Sequence, residues 1–179
     1  MRILVGISGS IAVLGIPGYL ASLQAEKEVE EIRVLMTPTA ARFISPQSLE
    51  ALLRLSVHVD PWTDGRPMVS PPELVRDIDL YLIAPASATT LSRCATGSGE
   101  TLLGHCYLCH RGPVAIAPAM SAEMWEHPAV IRNLDRLKDD GACILPAGAG
   151  YSAATGKVQK TAVCPYREMW PILKSLFKN

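Results

Sequence analysis

Four short segments hold the residues whose types and spacing can do chemistry, and each follows an apolar run. Gly6-Ile7-Ser8-Gly9-Ser10-Ile11 is a glycine and serine turn opening into a helix. Such a turn aims backbone N–H groups and the positive end of a helix at an anion, and serine hydroxyls add donors. Met36-Thr37-Pro38-Thr39-Ala40-Ala41-Arg42-Phe43-Ile44 sets two threonines beyond a second apolar run. They can donate to a phosphate, or Thr39 can serve as an ordinary helix N-cap. Ile83-Ala84-Pro85-Ala86-Ser87-Ala88-Thr89-Thr90 passes from a buried run into proline, then into small and hydroxyl residues. Small side chains let a flat ring lie against the backbone, and hydroxyls can bond its heteroatoms. The fourth segment, Ala117-Pro118-Ala119-Met120-Ser121-Ala122-Glu123-Met124-Trp125, brings two methionines and a tryptophan to a strand end. These suit an aromatic cofactor or a sulfur-bearing substrate, although core packing is the commoner use of such residues. Taken singly, each segment also reads as a plain strand-to-helix turn. The chain has neither G-x-x-x-x-G-K-[ST] nor G-x-G-x-x-G, so neither an NTPase loop nor a standard dinucleotide turn is supported.

The elements that must position these segments follow from hydrophobic patterning. Arg2–Ile7, Arg33–Met36, Leu80–Ala84, Ala115–Ala117 and Ala142–Leu145 read as strands. Ser10 is a candidate N-cap for a helix from Ile11 to about Lys27, weakened by Gly15, Pro17 and Gly18. Pro46–Leu55 and, despite Pro171, Tyr166–Phe177 read as further helices. Asp60–Pro72 is rich in Pro, Asp and Gly and reads as a loop. Alternating strands and helices imply one α/β domain over residues 1–179, a parallel sheet with helices on both faces. Ligands in such sheets bind at the carboxyl ends of the strands, where the four segments lie.

Composition narrows the class of function. With 49% apolar residues in 179, the chain can bury a sizeable core. A formal net charge of +0 and the lack of a basic run argue against nucleic acid or an anionic membrane as partner. The opening apolar run is too short to span a bilayer and lacks the layout of a signal peptide. Five cysteines, an odd number, then suggest reduced thiols and a cytoplasmic location.

In this order, the four segments resemble the homo-oligomeric flavin-containing cysteine decarboxylases. That family includes the phosphopantothenoylcysteine decarboxylases and the peptidyl-cysteine decarboxylases of lantibiotic, linaridin and thioamide peptide biosynthesis. Its hallmarks G-x-T-G-S-I-A, P-A-S-A-N-T and P-x-M-N-x-x-M-W stand here as Gly6–Ala12, Pro85–Thr90 and Pro118–Trp125, with T-x-x-A-x-x-F-[IV] at Thr37–Ile44 between them. The resemblance implies a flavodoxin-like (Rossmann-like) sheet, FMN in preference to FAD, and a trimer or dodecamer with flavin where subunits meet. It implies that Gly9, Ser10 and Thr39 hold the flavin phosphate. Ala86, Ser87 and Thr89 would border the isoalloxazine ring with Met120 nearby, and Ser121, Met124 and Trp125 would line the substrate side.

The departures from the family pattern bear on chemistry. The position of the family's catalytic histidine is Pro71, in Pro71-Pro72-Glu73-Leu74, and its two motif asparagines are Thr89 and Ser121. The late cysteine of the pantothenate enzymes has no counterpart in Tyr151-Ser152-Ala153-Ala154-Thr155-Gly156, which argues against coenzyme A synthesis. The function expected from the resemblance is oxidative decarboxylation of a C-terminal peptide cysteine to an aminovinyl-thiol, with a precursor peptide as partner. A flavin-binding regulatory paralogue without turnover, and a phosphopantothenoylcysteine decarboxylase, are the alternatives. Peptide recognition would rest on Asp60–Pro72 and Gly148–Lys157. No general base is assigned: His58, Asp60, Asp64 and Arg66 near the loop, and His127 after Trp125, are the groups to place. Cys106-Tyr107-Leu108-Cys109-His110 matches the C-x-x-C-H haem signature, but in an apolar stretch it reads as a buried structural segment, and no metal site is expected.

Overall fold

The computed structural model describes residues 1–60, 70–152 and 155–177. Strands β1 (Arg2–Ile7) and β4 (Leu80–Ala86) are buried along almost their whole length, as central strands of a parallel sheet must be. They pair with each other. β1 also pairs with β2 (Glu31–Met36), and β2 with the short edge strand β3 (Val57–Val59). β4 pairs with β5 (Val114–Pro118), and β5 with β6 (Cys143–Ile144). The resulting six-stranded parallel sheet has the order β3-β2-β1-β4-β5-β6. This is the expected flavodoxin-like, doubly wound architecture, and its order reverses between β1 and β4.

Alternation along the strands divides the core into two layers. Ile3, Val5, Ile7, Val34, Leu82 and Ala117 face α1 (Ile16–Ala25), α3 (Pro46–Leu53) and α9 (Tyr166–Phe177), whose Leu20, Leu49 and Leu173 close that side. Leu4, Leu35, Tyr81, Ile83 and Ile116 face α4 (Pro71–Val75), α5 (Ala88–Ala95), α6 (Leu102–Cys109) and α8 (Pro128–Asp139), which contribute Leu74, Leu91, Leu103 and Leu137. Two single-turn helices, α2 (Pro38–Ala41) and α7 (Ala122–Trp125), follow β2 and β5. Among the described residues no helix is long and apolar enough to cross a membrane.

Several boundaries differ from the sequence expectation. The helix expected from Ile11 to Lys27 is a 3-10 turn at Ile11–Gly15 followed by α1, with Pro17 in the first turn, where a missing N–H does no harm. α9 runs unbroken through Pro171, as expected. Gly148–Lys157, read as a loop, begins an antiparallel hairpin of β7 (Gly148–Tyr151) and β8 (Val158–Ala162). A Cβ at Gly148 would collide with the Val163 carbonyl, and one at Gly150 with Ala162, so these glycines are what allow the strands to approach.

Gly6 shows how tightly the centre is filled. A Cβ there would sit 2.8 Å from Tyr81 Oη. The Tyr81 ring cannot retreat: it is fully buried and its hydroxyl donates to Leu103 O at 3.2 Å. Gly6→Ala is therefore expected to cost about 1–3 kcal/mol in denaturant unfolding, as overpacking does. In a Tyr81→Phe background the same substitution should cost clearly less, because the nearest atom is gone. A double-mutant cycle with no coupling would show that the strain lies elsewhere.

Candidate functional site

β1 leads into α1 on one face of the sheet, while β4 leads into α5 on the other. The two chain segments leaving these neighbouring strands must part, and a cleft opens between them. It has a volume of about 640 Å³. Its walls are the Gly9–Gly15 turn, the Ser87-Ala88 start of α5, Ala119-Met120-Ser121 beyond β5, and the β7–β8 hairpin.

Six of the ten sequence candidates meet there: Gly9, Ser10, Ser87, Met120, Ser121 and Met124. Ser10 caps the 3-10 turn, its Oγ accepting from Ala12 N at 3.4 Å and donating to Ala119 O at 3.3 Å. Ser87 caps α5, its Oγ accepting from Thr90 N at 3.3 Å. Ser121 caps α7 by accepting from Met124 N at 3.4 Å. The Glu123 carboxyl is held below its ordinary pKa by its own backbone N–H first and by the Ser121 hydroxyl second. Met124 is not core: it is 45% exposed, and α7 buries none of its residues.

Four candidates lie outside the cleft lining. Ala86 is wholly buried as the last residue of β4 and meets the site only through its carbonyl, which accepts from Ala119 N at 3.0 Å. Thr89 and Trp125 lie one residue beyond lining positions, Thr89 exposed and Trp125 half-buried. Thr39 is not the cap of α2; that role belongs to Thr37, whose Oγ1 accepts from Ala40 N at 3.2 Å. Thr39 instead packs its methyl side so closely on Gly9 that any Cβ at position 9 would overlap it.

The cleft also takes in residues that patterning did not mark. Tyr19 reaches its edge from α1, donating its hydroxyl to Cys164 O at 2.8 Å, and burial raises its pKa. Ala149, Tyr151, Ser152, Thr161, Ala162 and Val163 arrive with the hairpin. Ala149, Tyr151 and Ser152 belong to the Gly148–Lys157 segment expected to meet a peptide, whereas Thr161, Ala162 and Val163 lie beyond it.

Ionisable groups are placed elsewhere. Pro71 opens α4, away from the cleft. His127 caps α8, its Nδ1 accepting from Ala129 N at 3.1 Å. His58 lies in β3, and the buried Asp60 carboxylate accepts from Leu102 N at 3.0 Å at the start of α6. Asp64 and Arg66 fall outside the described residues. Among the described lining residues, Tyr19 and Tyr151 are the ionisable ones.

The C-x-x-C-H match sits on α6 and its C-cap but is only partly buried: Leu108 is exposed, and Tyr107 and Cys109 are half-buried. Cys106 is fully buried and His110 ends the helix with Nε2 3.2 Å from Pro113 O. No group of three metal-ligating side chains occurs among the described residues. A second groove of about 460 Å³ lies at the amino end of β5, lined by Arg111, Arg136, Asp140 and the C-terminal ends of α5, α6 and α8. Those negative helix ends account for the arginines.

Comparison with known proteins agrees with this geometry. A family model described as Flavoprotein matches residues 1–169. The Coenzyme A biosynthesis bifunctional protein CoaBC of Bacillus subtilis (strain 168) is 36% identical over 156 residues, 85% of this chain and 37% of that protein. The chain thus spans little more than a third of the length of the curated relatives it matches. The crystal structure of the FMN-dependent cysteine decarboxylase SpaF superposes with a TM-score of 0.82 at 30% identity, covering 99% of this chain and 96% of that one. A PPC decarboxylase variant complexed with pantothenoylaminoethenethiol gives 0.82 at 25% identity, covering 99% and 98%.

The thiols provide a test of the placement. Burial pushes Cys94 and Cys106 up to about 12. At pH 8 only about one in 10⁴ of such thiols is ionised, so neither should react with iodoacetamide in the folded protein. Both should label fully in denaturant. Rapid native labelling of Cys106, read by peptide mass mapping, would contradict the packing of α6.

Proposed function

The chain belongs to the Flavoprotein family, and on that premise we propose that it binds FMN in the cleft and oxidatively decarboxylates a C-terminal peptide cysteine, leaving an aminovinyl-thiol. The observation that carries this reading is the make-up of the cleft at the β1/β4 switch point. Gly9, Ala88, Ala119, Ala149 and Ala162 keep its walls shallow, which fits a flat ring, and Met120 and Met124 add polarisable apolar surface. Ser10, Ser87 and Ser121 supply hydroxyls. In this reading Gly9, Ser10 and Thr39 hold the phosphate. Ala86, Ser87, Thr89 and Met120 border the ring, while Ser121, Met124 and Trp125 border the substrate. The FMN dependence of SpaF supports FMN over FAD.

When bound at these residues, FMN would supply the two-electron oxidation of the cysteine Cβ–S unit that creates an electron sink for loss of the carboxylate as carbon dioxide. The chain's residues have the tasks of orientation and of excluding water. The described lining offers no carboxylate, imidazole or amine to take the thiol proton. The reactive thiolate must therefore come from the substrate's own ionisation, near 8.5 for an unperturbed cysteine and higher in apolar surroundings. Lack of a positioned base should cost on the order of 10²–10⁴-fold in rate. Ile11, Leu14, Met124 and Tyr151 stand exposed around the cleft, which supports a trimer or dodecamer in which a second subunit covers the flavin.

A second reading keeps the pantothenate substrate, favoured by the CoaBC relatives and disfavoured by the absence of cysteine from residues 151–156. A third, flavin binding without turnover, is favoured by the absence of a carboxylate, imidazole or amine among the described lining residues.

Purified protein should be yellow with about one FMN per chain. Ser10→Glu should abolish binding by placing like charge beside the phosphate. Thr39→Val, which keeps the methyl contact with Gly9, should weaken binding only if the hydroxyl touches phosphate. A protein that stays colourless after reconstitution would refute the reading.

Incubation with cysteine-ending peptides should remove carbon dioxide and two hydrogens by mass spectrometry, and the rate should climb with pH toward the substrate thiol's pKa. His58→Ala and His127→Ala should retain turnover. A histidine variant that is inactive yet keeps flavin and oligomer would identify a base. Conversion of phosphopantothenoylcysteine to a saturated thiol would select the second reading, and no flavin bleaching with any substrate under anaerobic conditions the third.

A further inference from the structure

Ser8 stands between the glycine turn and β4, and its hydroxyl is not available to a ligand. The residue is completely buried. Its Oγ donates to Pro85 O at 2.8 Å and accepts from Ser87 N at 2.8 Å. Its own N–H donates to the same Pro85 carbonyl at 3.1 Å. One side chain thus ties the end of β1 to the beginning of α5, across the point where the two segments separate.

We propose that Ser8 is a positioning residue that sets the width of the cleft between Gly9-Ser10 and Ser87-Ala88, and through it the affinity for the flavin. The inference rests on the flavin-binding reading above. The Ser87 N–H precedes the hydrogen-bonded ladder of α5, so no helical carbonyl satisfies it. Removing the Ser8 hydroxyl leaves that N–H, on a half-buried residue, without its partner. Pro85 O keeps its bond from Ser8 N, so the β1–β4 pairing itself survives. In the empty protein the Ser87 segment can tilt outward and find water. With a ring against Ala88 and Ser87 it cannot, and the cost falls on binding. Ser10 makes the complementary tie to Ala119 O just beyond β5, so two serines, two residues apart, brace one turn against the ends of β4 and β5.

The test is FMN titration of apoprotein by fluorescence quenching, together with the visible absorption spectrum and melting temperatures with and without FMN. Ser8→Ala should weaken FMN about ten- to a hundredfold. It should shift the bound flavin's visible band, lower the apoprotein melting temperature little, and shrink the FMN-induced rise. Ser8→Thr, which keeps the hydroxyl, should restore affinity and band. A Ser8→Ala protein with wild-type affinity and band, but equally lowered melting temperatures in both states, would overturn the inference and leave Ser8 a fold residue. If Ser8→Ala fails to fold, Ser8→Cys decides: its poorer hydrogen bonding should give reduced affinity, and wild-type affinity would overturn the inference. Absence of FMN binding by the wild type would instead sink the functional reading on which this rests.

Discussion

Two neighbouring parallel strands that must send their helices to opposite faces impose the shape of the whole site. β1 and β4 run side by side in register from Ile3/Leu80 to Gly6/Ile83. The right-handed crossover that follows β1 returns through β2, and the one that follows β4 returns through β5, on the opposite side of the sheet. The backbone therefore splits after Ile7 and Ala86. Polar backbone groups exposed by the split need partners inside the protein, and Ser8, Ser10 and Ser87 provide them. Hydroxyl residues at these strand ends are a condition of building the crevice before they are a feature of anything that binds there.

That double duty explains which parts of the site could be read from the sequence. Central strands are apolar runs ending in small residues, so their carboxyl ends were legible, and six of ten candidate residues fell in the cleft. Patterning could not divide the hydroxyls into those turned inward and those left for a ligand. All of them bond backbone, but Ser10, Ser87 and Ser121 do so from the cleft lining while Ser8 and Thr37 do not, a matter of direction that residue type does not encode. Ala86 is the last residue of β4 and wholly buried, so its side chain does not line the cleft and only its carbonyl reaches the segment beyond β5. The hairpin escaped because Gly148–Tyr151 has too little apolar content to show a period of two, and β3 because an edge strand of three residues resembles any short apolar stretch.

The chemistry follows from an electrically quiet crevice. Two carboxylate-rich loops would have suggested acid–base work; instead the described lining holds hydroxyls, methyl groups and thioethers. Such a lining binds a conjugated ring well and a free carboxylate poorly. On the proposed reading, a substrate carboxylate held there without a cationic partner would be destabilised relative to water, and its departure as a neutral gas would relieve that cost. On that reading, the same lack of charge in the described lining leaves the thiol proton to the substrate's own ionisation.

Helix α6 shows a different kind of dependence. Its sequence, Leu-Leu-Gly-His-Cys-Tyr-Leu-Cys, has no strong amphipathic stripe and a glycine in its first turn. Besides the local cap, in which Thr101 Oγ1 accepts from Gly104 N, its anchors are remote: the Asp60 carboxylate accepts from Leu102 N, and Tyr81 Oη donates to Leu103 O. Both anchors lie on strand ends or strands that precede it by more than twenty residues. Eight residues are too few to be helical alone in water. During folding, α6 must therefore wait for β3 and β4 to be in place, and it should be among the last elements to become protected and among the first to open as a unit.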